Sequence, residues 1–204
     1  TVYESEEDGF RLQVPQGWVI EDDDNTNPEL LDIEEGLGFI FLAMLCLEVE
    51  ALPGVGGTFQ CEPESLSQDV GIARFKDLQS RPEFATLVRE NRTITSADLI
   101  PLHIDMVEVF GGHNFRTGNI TDTIVNVIDP QTNQTVGATG AKLVELTYQT
   151  GTITINDNNM IALLALNNNT DTGYSVFHTF DPMKPMSPQV QQIFDTFELV
   201  EQQP

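Results

Sequence analysis

Gly9-Phe10-Arg11-Leu12-Gln13-Val14-Pro15-Gln16-Gly17-Trp18 frames this chain. Phe10, Leu12 and Val14 alternate with Arg11 and Gln13, the period of a half-buried strand. Pro15-Gln16-Gly17 is a turn signal, and Trp18-Val19-Ile20 opens a second strand. Trp18 follows the turn as a lid on the core. The counterpart at the other end is Val190-Gln191-Gln192-Ile193-Phe194-Asp195-Thr196-Phe197-Glu198-Leu199. There Val190, Ile193, Phe194 and Phe197 occupy i, i+3, i+4 and i+7, one stripe of an amphipathic last helix. Ser187-Pro188 supplies its cap and a proline in its first turn.

Between these ends the pattern alternates between two regimes. Gly38 to Leu47 is apolar on both faces and reads as a buried strand, and Val70 to Phe75 as another. Ser80-Arg81-Pro82-Glu83 predicts a helix start, with glutamate three residues after a capping serine. Phe84, Leu87 and Val88 would share its face. A second helix is expected after Thr95 or Ser96, with Leu99, Leu102, His103, Met106 and Phe110 along one side and Gly111-Gly112 ending it. From Phe115 to Thr179 threonine, valine and isoleucine dominate. The turn signals at Asp129–Asn133, Asn156–Asn159 and Asn167–Gly173 divide this stretch into strands near 121–128, 135–150, 152–155, 160–166 and 174–180. The expected class is α+β, an antiparallel β-sheet meander flanked by helices, with residues 1–204 as one domain.

Composition narrows the partners. The 204 residues carry a formal net charge of −23, and lysine is confined to Lys76, Lys142 and Lys184. Phosphates would be repelled, which argues against nucleic acid and against an anionic membrane surface. No segment reaches the ~18 apolar residues of a spanning helix. Hydrophobic residues make up 40% of the chain, enough for a core and too many for a disordered segment.

Cys46 and Cys61 close a short loop; a disulfide there would contribute about 3 kcal/mol by loop closure. Asn-x-Thr sequons begin at Asn91, Asn119, Asn133 and Asn168, the candidates for N-glycosylation. Acidic surface, paired cysteines and sequons agree on an extracellular or cell-surface location, in a secreted form whose signal peptide is already removed.

The string Gly9 to Trp18 resembles the opening of PsbP-like domains, where a Gly-Phe strand runs into a Pro-x-x-Trp-type turn. The ending resembles theirs too, a strand (Tyr174–Phe180) leading to a terminal helix that carries Ile193-Phe194-Asp195-Thr196-Phe197. Leu42-Ala43-Met44-Leu45-Cys46 through Cys61, with Arg74-Phe75-Lys76-Asp77-Leu78, is similar to secreted PsbP-like proteins of archaea. The resemblance implies a PsbP-like α-β-α sandwich. It also implies a non-enzymatic role, since PsbP relatives include accessory subunits of photosystem II, proteins that assist membrane-complex assembly and Mog-type GTPase-binding proteins. This chain has no basic patch with which to dock as the photosynthetic subunit does.

Chemistry-bearing residues are sparse. His103, His113 and His178 could hold a transition metal with Asp105 or Glu108, although they fall on different elements without His-x-His spacing. Glu21-Asp22-Asp23-Asp24-Asn25 offers oxygen ligands for Ca²⁺ but lacks the glycine and distal glutamate of an EF-hand. Gly54-Val55-Gly56-Gly57 is followed by no Lys-Ser/Thr, so no phosphate loop is expected. No Gly-x-Ser-x-Gly marks a nucleophile. Two functional expectations follow. One is a non-enzymatic structural or accessory subunit of a surface assembly, self-associating through a sheet edge into a polymer or filament. The other is a metal-binding or assembly-assisting module of an extracytoplasmic membrane complex.

Overall fold

The alternation at Phe10 forms the strand it predicts, and the rest of the chain builds outward from it into one sheet. The computed structural model describes residues 1–5, 8–16, 18–22, 39–47, 70–152 and 155–201, with the backbone alone at 19–22 and 39–47. The strands are β1 (Val2–Ser5), β2 (Phe10–Gln13), β3 (Trp18–Asp22), β4 (Phe39–Leu47), β5 (Val70–Phe75), β6 (His113–Asp129), β7 (Gln134–Thr150), β8 (Asn156–Asn167), β9 (Thr172–Phe180) and β10 (Glu198–Val200). The helices are α1 (Ala85–Arg89), α2 (Leu99–Val109) and α3 (Pro188–Thr196).

All ten strands join a single sheet in the order β1-β2-β10-β6-β7-β8-β9-β5-β4-β3. Every pairing is antiparallel except β10 with β6, which makes the sheet mixed. The expected α+β meander with flanking helices, and the α-β-α sandwich implied by resemblance, are therefore corrected. The molecule is sheet-dominated, a curled half-barrel. The meander is real, but it is only the middle of the sheet. β6 and β7 are 17 residues each, against 11 for the longest helix. Register shifts between His113 and Arg116, Thr117 and Ile120, and Val127 and Ile128 add residues to the long ladder and bend it.

At the C-terminal end of the chain one expectation changes for a physical reason and one holds. The last helix was expected to carry its stripe through Phe197. Instead Phe197 is extended (φ −68°, ψ 124°), and the next residues form β10 between β2 and β6. Phe197 and Leu199 stay in the core by strand alternation rather than helical period. Ser187 does cap α3, accepting a bond from the Val190 N–H at 3.2 Å.

The Ser80 region also departs from expectation. Short 3₁₀ turns at Leu78–Ser80 and Pro82–Phe84 precede the five-residue α1, and no side chain caps them. Buried Leu78 and Phe84 fix this segment by packing. Thr95 and Asp98 form a capping box at the entrance to α2: the Asp98 carboxylate accepts from the Thr95 N–H at 2.8 Å. Phe110, expected on the apolar side of α2, lies past the helix end and is 58% exposed.

Each face of the sheet has its own core. On one face α3 packs Val190, Ile193 and Phe194 against Phe10, Leu12, Trp18, Ile72, Leu163, Tyr174 and Val176. On the other, α2 packs Leu99, Leu102 and Met106 against Phe75, Val144, Leu146, Met160 and Leu164. The approach of α2 requires Gly173, where an added Cβ would lie 2.7 Å from the Leu99 side chain. Asp8, after β1, pairs with buried Arg74 of β5, and its carbonyl accepts the Tyr174 hydroxyl at 2.7 Å. Burial pushes the Tyr174 phenol up from its ordinary value. These bonds tie the first hairpin to β9 and β5, in the opposite half of the sheet.

Candidate functional site

The three histidines are not brought together. His103, on α2, is fully buried. Its Nε2 lies 3.1 Å from the Met160 sulfur and its Nδ1 lies 2.9 Å from Ser175 Oγ. A thioether only accepts, so Nε2 carries the proton and the Ser175 hydroxyl donates to Nδ1. Burial pushes the imidazole down to about 3, and it stays neutral. The pair has the connectivity of a serine with its base, but both members are wholly buried and no substrate can reach them.

His178 is buried on the opposite face of the sheet, since positions 175 and 178 on β9 differ by an odd number. His113 opens β6, with Nδ1 3.4 Å from the Gly111 carbonyl. Asp105 is raised, chiefly by partial burial and then by repulsion from Glu108 and Glu83. Among the described residues no three His, Cys, Asp or Glu side chains converge as a metal site. Residues 23–25 of the acidic run, Cys61 and the loop 54–57 lie outside the described residues, and the Cys46 side chain does too.

The sequon asparagines are all exposed. Asn91 and Asn133 sit in left-handed turns (φ 53° and 56°). Asn133 accepts a bond from Arg11 in the β6–β7 turn. Asn168 lies in the β8–β9 turn and, with Asn91, lines a cavity of about 380 Å³. Asn119 donates to Glu145 across the β6–β7 ladder at 3.2 Å.

Two features that composition could not place emerge from the topology. The first is a pair of sheet margins. Among the described residues β1 and β3 each pair on one side only. Thr1 and Val14 exchange both backbone bonds, at 2.7 and 3.1 Å. The two-residue alternation of an antiparallel ladder then turns the N–H groups of Val2 and Glu4 outward, to the free margin.

The second is a polar groove of about 610 Å³ at the end of the sheet where β6 begins. Register places Arg116, Thr147 and Asn159 side by side on β6, β7 and β8. Directly opposed residues share a face, and short Thr147 forms the floor between two longer side chains. In the next row Gln149 pairs with Asp157. A relay fixes these groups: Asn114 donates to Gln149 Oε1 at 2.8 Å, and Gln149 donates to Asp157 Oδ1 at 2.8 Å. Asn114 holds a left-handed backbone (φ 55°) to do so. Phe115 and Tyr148 stack 5.7 Å apart at 19° beside the groove and pack against the α2 core. No helix among the described residues is long and apolar enough to cross a membrane. No family model matches the chain, and no curated protein does.

Proposed function

We propose that this chain is a non-enzymatic subunit or accessory protein of an extracellular or cell-surface assembly, and that it self-associates by strand addition. The observation that carries the reading is the open ten-stranded sheet, whose β1 and β3 margins each pair on one side only among the described residues. A margin offers unpaired N–H and C=O groups to another strand. Joining the β1 margin of one copy to the β3 margin of the next uses two different surfaces. Such a heterologous contact propagates into a filament unless its rotation closes a ring. The exposed sequon asparagines support a surface location, since each could accept a glycan without disturbing a core.

Charge sets the conditions. Copies carrying −23 each repel at low ionic strength, and salt screens that repulsion within about 8–10 Å near 0.1–0.15 M. Light scattering on the full chain tests the reading, with NaCl raised from low to high concentration. Mass should grow with salt and with protein concentration. Glu4→Pro removes an outward N–H from β1 and should return the protein to monomer at unchanged fold. A monodisperse monomer in all salts, or assembly indifferent to Glu4→Pro and to a matching proline at Ile20 or Glu21 on β3, overturns it.

A further inference from the structure

We propose that the groove built by Arg116, Thr147 and Asn159 is a binding site for a neutral saccharide. The inference is separate from strand addition, because the groove lies on a face of the long ladder and not at a margin. Its chemistry selects the ligand class by exclusion of charge. Arg116, like Arg89 and Lys76, has no ion-pair partner among the described residues, whereas Arg11, Arg74, Arg81, Arg92, Lys142 and Lys184 each have a carboxylate; of the three, only Arg116 lines the groove. It therefore keeps its planar set of donors available.

Asp157 lies in the adjacent row, with one oxygen accepting from Gln149 and further lone pairs to accept more. An anion on Arg116 would meet Asp157 and the field of a chain at −23. A cation on Asp157 would meet Arg116. A hydroxyl both donates and accepts, so a neutral polyol satisfies both neighbours at once.

Asn159 adds a half-buried amide with no partner among the described residues, one donor group and one acceptor group close to the floor. Its polar atoms are not sealed from solvent, so a ligand hydroxyl can reach and pair them without displacing a protein partner. The relay from Asn114 through Gln149 to Asp157 holds the second row in one orientation before any ligand arrives, which lowers the ordering cost of binding. The stacked Phe115 and Tyr148 pin β6 against β7 beneath it. The volume of about 610 Å³ suits a short oligosaccharide.

The test is an NMR titration of the full chain, watching the side-chain N–H signals of Arg116, Asn114, Gln149 and Asn159. The probes are maltotetraose, cellotetraose, mannotetraose and chitotetraose as neutral ligands, trigalacturonate as the anion and spermine as the cation. At least one neutral tetrasaccharide should shift these signals saturably. Arg116→Met and Asn159→Ala should each weaken that binding roughly tenfold or more. Arg116 is exposed, so its variant keeps the fold and decides alone if Asn159→Ala does not fold. No saturable shift with any neutral probe, a response to trigalacturonate or spermine that equals or exceeds it, or binding unaffected by Arg116→Met would each overturn the proposal.

Discussion

The face of the sheet beneath α2 holds two regions of similar strand and opposite fate. Val144, Leu146, Met160 and Leu164 are buried there under Leu102 and Met106. Ile120 pairs directly with Val144, and Ile124 follows it on the same face of β6, yet they are 49% and 70% exposed. Apolar side chains of the same kind, on one continuous ladder, are dry or wet according to whether a helix reaches them. α2 spans 11 residues, about 16 Å, and cannot cover strands of 17. The covered region therefore carries the stability, and the bare region is where contacts with other molecules can be built. The variants that follow break or sharpen that contrast.

The largest effect belongs to acid. His103 sits in the covered region with its pKa lowered from 6.5 to about 3. Below 6.5 the unfolded chain takes up a proton that the folded chain refuses, so stability rises with pH across this window. It is full above about 6.5 and is lost as pH falls toward 3, by about 4–5 kcal/mol over the whole window. His103→Leu abolishes that proton uptake. Urea midpoints of the two proteins should therefore diverge in slope from pH 6.5 to 4, the wild type falling more steeply than His103→Leu, so that their difference changes with pH. If their difference stays constant with pH, the imidazole is not held neutral and the covered region is not dry.

Leu164→Ala ranks next. Leu164 is fully buried opposite Lys142, whose own side chain reaches Asp122 on β6. Truncation should cost about 2–5 kcal/mol, read as a lower urea midpoint at unchanged slope. A loss under 1 kcal/mol would mean that α2 collapses into the gap, and that coverage is looser than the contrast requires.

What the sequence made legible follows the same division. Val70–Phe75 is read correctly to the residue because all six positions are buried and every residue but the ion-paired Arg74 is apolar or glycine. The final helix is read from its stripe but overrun at its end, because Phe197 fits both the helical period from Val190 and the strand alternation with Leu199, which itself falls off the helical stripe. The first half of β6 is invisible. Its residues 113–119 are largely polar and exposed, and the strand exists there by its ladder with β7 rather than by burial. The groove is missed for the same reason. Arg116, Thr147 and Asn159 are 31 and 12 residues apart in the chain, and register alone makes them neighbours. The dense Asn and Asp content of 156–159 reads as a turn, yet these residues open β8. His103 is legible in the other direction: its place among Leu99, Leu102 and Met106 on one side of the helix puts it in the core, where it is buried and hydrogen-bonded to Ser175.

Thr95→Ala probes the edge of the covered region. Thr95 and Asp98 close the capping box that starts the path into α2, with the Thr95 hydroxyl 2.6 Å from the Asp98 carboxylate. Losing the cap should cost about 0.5–2 kcal/mol. The effect should appear chiefly as faster amide exchange at the start of α2, with β6 unchanged. Equal acceleration in β6 would show that the bare ladder depends on α2 after all.

Gly140→Ala carries the smallest effect and the opposite sign. Gly140 pairs with Ile124 in the bare region, and a Cβ added there meets nothing within 4 Å. Its φ is not in the left-handed region, so alanine fits the strand without strain. The unfolded chain loses conformational freedom while the folded one loses no contact, and the gain should be about 0.4–1 kcal/mol. Differential scanning calorimetry at low salt, where copies stay apart, isolates this term as a slightly raised midpoint. Repeating the scan at high salt asks a second question of the same methyl group. If strand addition alone joins the copies, the gain persists unchanged, because Gly140 lies far along the ladder from both margins. If the gain reverses in salt while the low-salt value holds, another copy packs on the bare face at Gly140, and the assembly contact lies on the open half of the sheet rather than at its margins.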